Sequence, residues 1–192
     1  MSKAAALLLA AISIPFFAAP PPATAEVVGR VVSVHDGDTL TVLVDRRQVK
    51  IRLKDIDAPE MGQRFGRNAR QSLSDMCFGK MAAIEIGARD RYRRAIAQVT
   101  CSGTDANAEQ VRRGLAWTYA RYAPRDSPLF AVEEEARTAR RGLWMDPAPV
   151  APWDWRRSGR QSRVSRQPAL GDLMVFHETV LRGSIALQRQ TE

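Results

Sequence analysis

Three short runs of mainly β-branched and other apolar residues lie close together near the start of the chain, at residues 27–34, 39–44 and 49–53. Valine, isoleucine and threonine favour extended backbone, and each run has the length of an ordinary strand. Two polar segments, residues 35–38 and 45–48, separate the runs and are short enough to form tight turns. The pattern therefore predicts three consecutive strands, and it constrains the chain to a fold built on a β-sheet.

The pattern changes from strand to helix and back after the third strand. Apolar residues at helical spacing predict an amphipathic helix over residues 68–78, with Gly79 as a suitable stop. Residues 81–88 and 95–101 then predict two further strands, which are joined by a charged turn. The chain is therefore expected to contribute five strands, with one helix after the third.

Two more helices are expected beyond the last of these strands. Asn107, with Gln110 three residues later, resembles a capping box and predicts the start of a helix. Another helix is expected to begin at Ser127-Pro128 and to carry an apolar face as far as Leu143. Five strands with helices in these places are the layout of an α+β protein, a five-stranded OB-fold β-barrel with about three flanking helices.

Several polar segments are assigned no catalytic role at this point. Asp105 and the acidic residues 133–135 are expected to cap helices or to lie in solvent. Residues 147–152 contain three prolines and are expected to end regular structure, and residues 153–157 are expected to fold back on the domain.

Residues 1–25 have the composition of a secretory signal peptide. Lys3 precedes an apolar run, and small residues precede an expected cleavage site after Ala25. The run is shorter than the roughly 20 residues that a membrane-spanning helix needs, although a retained N-terminal anchor is the alternative. We expect a secreted or periplasmic protein with no membrane contact after cleavage, a monomer made of one domain over residues 26–157 and a tail of unknown role over residues 158–192.

The chain has two cysteines, Cys77 and Cys101. An even count behind an export signal predicts a single disulfide between them. Closing a loop of this length is expected to stabilise the fold by roughly 3 kcal/mol. With only His35 and His177 to add, a zinc site of cysteine and histidine ligands has no support.

The formal net charge is +8, and most of the positive charge is arginine spread along the chain. Such an excess suits a polyanionic partner. A solvated basic surface explains the charge equally well. The charge therefore bears on function only together with an acidic site.

Acidic residues are concentrated around the predicted strand ends. Asp36 and Asp38 lie in the first turn, and Asp57 and Glu60 follow the third strand, with Arg52 between the two pairs. Carboxylates can bind a hard divalent cation and orient water, and a guanidinium can bind phosphate. The set predicts a divalent-metal phosphodiesterase, whereas Asp36-Gly37-Asp38 alone could be an ordinary turn.

The order of these motifs resembles that of the staphylococcal nuclease-like (thermonuclease) family over nearly all of residues 26–146. The matching segments are residues 36–39, 51–53, 56–60, 90–94, 107–116 and 134–144. The ending Pro152-Trp153-Asp154-Trp155-Arg156-Arg157 is similar to that of secreted bacterial members.

The resemblance implies a Ca²⁺ site. Asp38 and Asp57 would bind the ion through their carboxylates, and Ala58 would bind it through its backbone carbonyl. Threonine is common in the family where Ala58 stands, and alanine keeps the carbonyl. Asp36 would lie beside the ion and tune it.

The resemblance also implies three catalytic residues. Glu60 would orient or deprotonate the attacking water, while Arg52 and Arg94 would clamp the phosphate. Arg93 stands where the family usually has glycine, and a turn that needs positive φ would strain an arginine, so either the turn differs or Arg93 competes with Arg94 for the role.

Tyr92 and Tyr122 lie where the family contacts substrate. The resemblance therefore implies that they bind substrate, and packing within the domain is the alternative.

The expected function is that of a secreted calcium-dependent nuclease that cleaves DNA and RNA and leaves 3′-phosphate ends. One alternative is a catalytically silent OB-fold module that binds nucleic acid or protein. Another is a basic secreted structural protein, which explains none of the motifs.

Overall fold

The computed structural model describes residues 25–164. The predicted signal peptide lies outside this range except for Ala25, and so does the part of the predicted tail that follows residue 164. Eight strands are present in the described part of the chain: β1 (Ala25–Val34), β2 (Thr39–Val44), β3 (Arg47–Leu53), β4 (Ile56–Asp57), β5 (Met81–Arg89), β6 (Ala95–Cys101), β7 (Thr104–Asp105) and β8 (Trp117–Thr118).

Five of these strands form a closed barrel. Antiparallel pairing gives the order β3-β2-β1-β5-β6, and parallel pairing of β3 with β6 closes the sheet on itself. The predicted five-stranded OB-fold barrel is therefore confirmed. The two-residue strand β4 pairs separately with β8, which brings Asp57 opposite Trp117.

The barrel is filled by one face of each strand. Burial alternates strictly along β6, where Ala95, Ala97, Val99 and Cys101 are buried. The other strands contribute large apolar side chains such as Leu40. This period of two is the pattern expected of strands with one face towards a core.

Four α-helices accompany the barrel in the described part of the chain: α1 (Gly66–Cys77), α2 (Ala106–Arg112), α3 (Leu129–Thr138) and α4 (Pro152–Val164). A disulfide between Cys77 and Cys101 joins the end of α1 to the end of β6, which confirms the predicted pairing. Among the described residues, no helix is both long and apolar enough to span a bilayer.

The start of α2 differs from the prediction. Asp105, not Asn107, is the N-cap, and its side chain accepts a hydrogen bond from the backbone of Ala108. Asn107 and Gln110 are fully buried and donate to backbone carbonyls elsewhere in the fold. The predicted capping box is wrong because both side chains satisfy buried backbone groups outside the helix.

The third helix is shorter than predicted. It ends at Thr138, and Leu143 lies in a separate 3-10 helix over Gly142–Met145, where its amide donates to the carbonyl of Gly114. Glu133 is buried and accepts a 2.7 Å hydrogen bond from the amide of Thr118. The expectation that Glu133 lies in solvent or caps a helix is therefore wrong.

The helix α4 was not expected from the sequence, which predicted only that residues 153–157 fold back. They do so as a helix. Trp153 stacks on Tyr119, with ring centroids 5.2 Å apart, and meets Trp117 edge to face at 6.4 Å. Because Trp117 is paired with Asp57, this packing brings α4 close to the acidic strand ends.

Candidate active site

The turn between β1 and β2 presents Asp38. The carboxylate of Asp36 accepts a hydrogen bond from the Asp38 amide at 3.1 Å, which is the local bond typical of an aspartate turn. The buried side chain of Gln110 donates a 2.6 Å hydrogen bond from Nε2 to the carbonyl of Gly37. A Cβ atom at Gly37 would lie 2.5 Å from the Cβ of Ala69, so the close approach of α1 requires glycine here.

Arg52 joins the two aspartates that the sequence places in the candidate site. Its Nη1 lies 3.1 Å from Asp38 Oδ2, and its Nη2 lies 2.8 Å from Asp57 Oδ1. Asp38 Oδ2 also accepts a 2.7 Å hydrogen bond from the amide of Ala58. Asp38 and Asp57 are only 5% and 1% exposed, so these contacts hold the side chains in fixed positions.

The buried carboxyl of Asp38 lies near one positive group, Arg52, and two negative groups, Asp36 and Asp57. Burial raises the pKa of Asp38 to about 7; Arg52 opposes the shift, while the charges of Asp36 and Asp57 add to it. The pKa stays raised because burial and the charges of Asp36 and Asp57 outweigh the charge of Arg52.

The donor chemistry suits a hard divalent cation. Carboxylate oxygens and a backbone carbonyl are the ligands that such ions prefer, and a cation would supply the missing positive charge. Within residues 25–164, no group of three or more acidic, histidine or cysteine side chains is arranged to hold a metal ion. A cation would therefore depend on Asp38, Asp57 and backbone oxygen rather than on a larger side-chain cage.

Arg156 holds Glu60 at the same site, although the sequence did not predict Arg156 as a site residue. Arg156, in α4, donates from Nη1 to Glu60 Oε1 at 2.7 Å and from Nη2 to Asp57 Oδ2 at 2.6 Å. Burial alone would lower the pKa of Arg156, but the hydrogen bonds and charges of Asp57 and Glu60 outweigh it and raise the pKa. Arg156 lies in residues 152–157, whose sequence is similar to the ending of secreted bacterial family members. That similarity is the feature of the sequence that could have indicated Arg156.

Arg94 lies directly before β6, next to Ala95, which pairs with Ile51 of β3. Its Nε donates to Asp90 Oδ2 at 2.7 Å, and its backbone amide donates to Asp90 Oδ1 at 2.9 Å. The structure therefore holds Arg94 through Asp90, whereas Arg52 is held directly by the candidate metal ligands.

Arg93 adopts the left-handed conformation, with φ at 65°. Its amide donates to the carbonyl of Asp90, and the amide of Asp90 donates to the carbonyl of Arg94. The tight turn is thus formed with an arginine where glycine would be unstrained.

Both candidate substrate-binding tyrosines are exposed: Tyr92 is 66% exposed and Tyr122 is 65% exposed. The Arg91 and Arg94 guanidiniums lie over the Tyr92 ring, at 4.8 and 5.7 Å from its centroid. Tyr122 meets Tyr119 edge to face at 4.9 Å. Neither ring fills the core, and both side chains remain largely accessible to solvent.

Comparison with known proteins decides the family. Residues 50–146 match the sequence model described as "Staphylococcal nuclease homologue". The chain belongs to this family. "Micrococcal nuclease" of Shigella flexneri is 42% identical over 151 residues, which cover 73% of this chain and 87% of that relative.

Two other relatives have a similar degree of identity to this chain. "Protein ParB" of Escherichia coli is 41% identical over 169 residues, covering 82% of this chain and 95% of the relative. An "Uncharacterized endonuclease" of Escherichia coli O157:H7 is 44% identical over 133 residues, covering 69% and 86% of the two chains. The resemblance stated from the motifs is confirmed.

Proposed function

We propose that this chain is a calcium-dependent nuclease that hydrolyses phosphodiester bonds of DNA and RNA. The observation that carries the proposal is the Arg52 guanidinium, which bridges the buried carboxylates of Asp38 and Asp57 at the end of the barrel. Membership of the nuclease family and relatives named as nucleases support it.

Asp38, Asp57 and the carbonyl of Ala58 are the groups that would hold Ca²⁺. When bound, the ion would offset negative charge on the phosphate and make the phosphorus easier to attack. The two carboxylates are buried, and their contacts with Arg52 limit their movement.

Glu60 is the group that would receive the proton of the attacking water. Its carboxylate is partly exposed, so water can reach it. The water oxygen would bond to phosphorus, and the bond from phosphorus to the 5′ oxygen would break with its electron pair going to that oxygen. The 5′ oxygen would take a proton from solvent water, so the products would be a 3′-phosphate and a 5′-hydroxyl.

Arg52 and Arg94 would donate hydrogen bonds to the phosphate oxygens as negative charge increases on them. By analogy with oxyanion-hole donors, removing one of them is expected to slow turnover by about 10²- to 10³-fold. Tyr92 and Tyr122 would offer exposed ring faces for contact with substrate. The arginines would bind phosphate, and the tyrosines would contact the substrate through their ring faces. Neither contact distinguishes one base from another, so cleavage is expected to show little sequence preference.

We propose that the protein acts as a monomer after export, in the periplasm or outside the cell. The Cys77–Cys101 disulfide supports an oxidising compartment.

The test is digestion of single-stranded DNA and RNA with Ca²⁺ and then with a calcium chelator. Wild-type protein should cleave both substrates only with Ca²⁺, and Glu60→Gln and Arg94→Ala should each lose at least about 100-fold in rate. Glu134→Gln and Arg125→Ala, at exposed positions elsewhere, are matched controls that should remain active. Cleavage that survives the chelator, or full activity in Glu60→Gln, contradicts the proposal.

A further inference from the structure

The C-terminal helix places a third guanidinium in the candidate active site. Arg156 makes a two-pronged contact with Asp57, at 2.6 and 3.3 Å, and a single contact with Glu60 at 2.7 Å. The two acids lie 99 and 96 residues away in the sequence. One arginine therefore ties a candidate metal ligand to the candidate general base.

The helix α4 packs against the domain, and this packing fixes the position from which Arg156 contacts the two acids. Pro152 is buried, and Trp153 packs between Tyr119 and Trp117. Trp117 pairs with Asp57 through its backbone. The element that carries Arg156 is thus anchored to the strand that carries Asp57.

A second contact links the C-terminal segment to the loop that carries Glu60. Gln63 donates from Nε2 to the carbonyl of Val150, and its Oε1 accepts a hydrogen bond from the amide of Glu60. The backbone of Glu60 and its side chain are therefore both held by contacts that lead to residues 150–156.

We propose that Arg156 is a positioning residue for the hydrolysis: it fixes the Glu60 carboxylate relative to Asp57, and α4 is a functional part of the active site. The inference rests on the proposed nuclease function. It goes beyond that function because it assigns a role in the reaction to the C-terminal helix.

The geometry explains how Arg156 can orient Glu60 without blocking it. The hydrogen bond uses Oε1, and within the described residues Oε2 has no hydrogen-bond partner, so it can accept a proton from water. A partly exposed glutamate on a loop otherwise samples several rotamers, and holding one of them favours the reactive arrangement.

The charges around Arg156 allow a cation to bind as well. Two guanidiniums, of Arg52 and Arg156, contact three carboxylates, of Asp38, Asp57 and Glu60. With all three carboxylates ionised, the cluster carries one more negative than positive charge. Removing Arg156 takes a positive charge away from Asp57, so it should not weaken the binding of Ca²⁺.

The test compares Arg156→Gln and Arg156→Lys with the matched control Arg157→Gln, whose native side chain is 71% exposed and lies 3.6 Å from Asp154. At saturating Ca²⁺, Arg156→Gln should lower kcat by about 10- to 100-fold, with little change in KM. Arg156→Lys keeps the charge but not the planar fork, so kcat should remain low. Arg157→Gln should match wild type.

Two further readouts separate positioning from a purely structural role. Calcium titration calorimetry should give Arg156→Gln an affinity equal to or tighter than that of wild type. In a Glu60→Gln background, Arg156→Gln should reduce the residual rate by less than threefold, because Arg156 acts through Glu60.

Unchanged kcat in Arg156→Gln overturns the inference. So does a loss of rate that extra Ca²⁺ restores, or a full additional loss of rate in the Glu60→Gln background. If Glu60→Gln is itself inactive while Arg156→Gln equals wild type, only this inference fails. If Glu60→Gln retains full activity, the proposed function fails first.

Discussion

Arg93→Gly is predicted to stabilise the protein, because Arg93 occupies a backbone conformation that favours glycine. Its φ is 65°, and the hydrogen bonds of the turn are made by backbone groups of Asp90, Arg93 and Arg94 and by the Asp90 carboxylate. Glycine can form the same turn and keep every one of these bonds. The change therefore removes strain without removing a contact that defines the turn.

The magnitude follows from two opposing effects. The left-handed region costs an L-residue about 1–2 kcal/mol, and glycine relieves that cost. Glycine also gains freedom in the unfolded chain, which takes back about 0.4–1 kcal/mol. The middle of the two ranges gives an expected net gain of about 0.8 kcal/mol, or a rise in Tm of about 2–4 °C for a domain of this size.

The assay is urea and thermal unfolding of wild type, Arg93→Gly and Arg93→Ala. Alanine removes the same side chain but keeps the Cβ, so Arg93→Ala should have nearly the stability of wild type. A gain in Arg93→Gly that Arg93→Ala does not share identifies the backbone as the cause. The reasoning is refuted if glycine leaves stability unchanged or lowers it, or if alanine stabilises equally.

Three other perturbations test separate parts of the structure. Gln110→Leu should destabilise the fold by about 1–3 kcal/mol in urea unfolding, because two buried carbonyls lose their donor; a neutral effect contradicts this. Replacing Cys77 and Cys101 by serine should cost roughly 3 kcal/mol by the same method, and equal stability contradicts it. Burial opposes ionisation of Asp90, but the hydrogen bonds and the charge of Arg94 outweigh burial and lower the Asp90 pKa. The ionised Asp90 carboxylate therefore stabilises the fold above roughly pH 4, and this stabilisation is lost as the pH falls further. Asp90→Asn should therefore show a shallower loss of stability on acidification, and parallel pH profiles contradict this.

The barrel was predictable because its strands carry local signals. β-branched residues mark the strands around Val31, Val42 and Ile51, and each strand is bounded by a polar turn. The acidic residues Asp38 and Asp57 were found because both lie at strand ends, where side chains from different strands meet.

The parts that escaped prediction depend on contacts between distant segments. Gln110 and Glu133 look like ordinary polar helix residues, and only the fold shows that they satisfy buried backbone groups of Gly37 and Thr118. Nothing local distinguishes them from solvent-exposed side chains.

Arg156 was missed for a similar reason. The helix α4 follows a proline-containing segment, and it is stabilised by the packing of Trp153 on Tyr119 rather than by a strong apolar period. The pairing of Arg156 with Glu60 spans 96 residues, so no spacing rule in the sequence indicates it.

The most direct test of the central claim is anomalous diffraction from crystals of the mature protein grown with Ca²⁺, at a concentration that supports cleavage. The account predicts a calcium peak contacted by the carboxylates of Asp38 and Asp57 and by the carbonyl of Ala58. A peak elsewhere, with none at this site in an active protein, would contradict it.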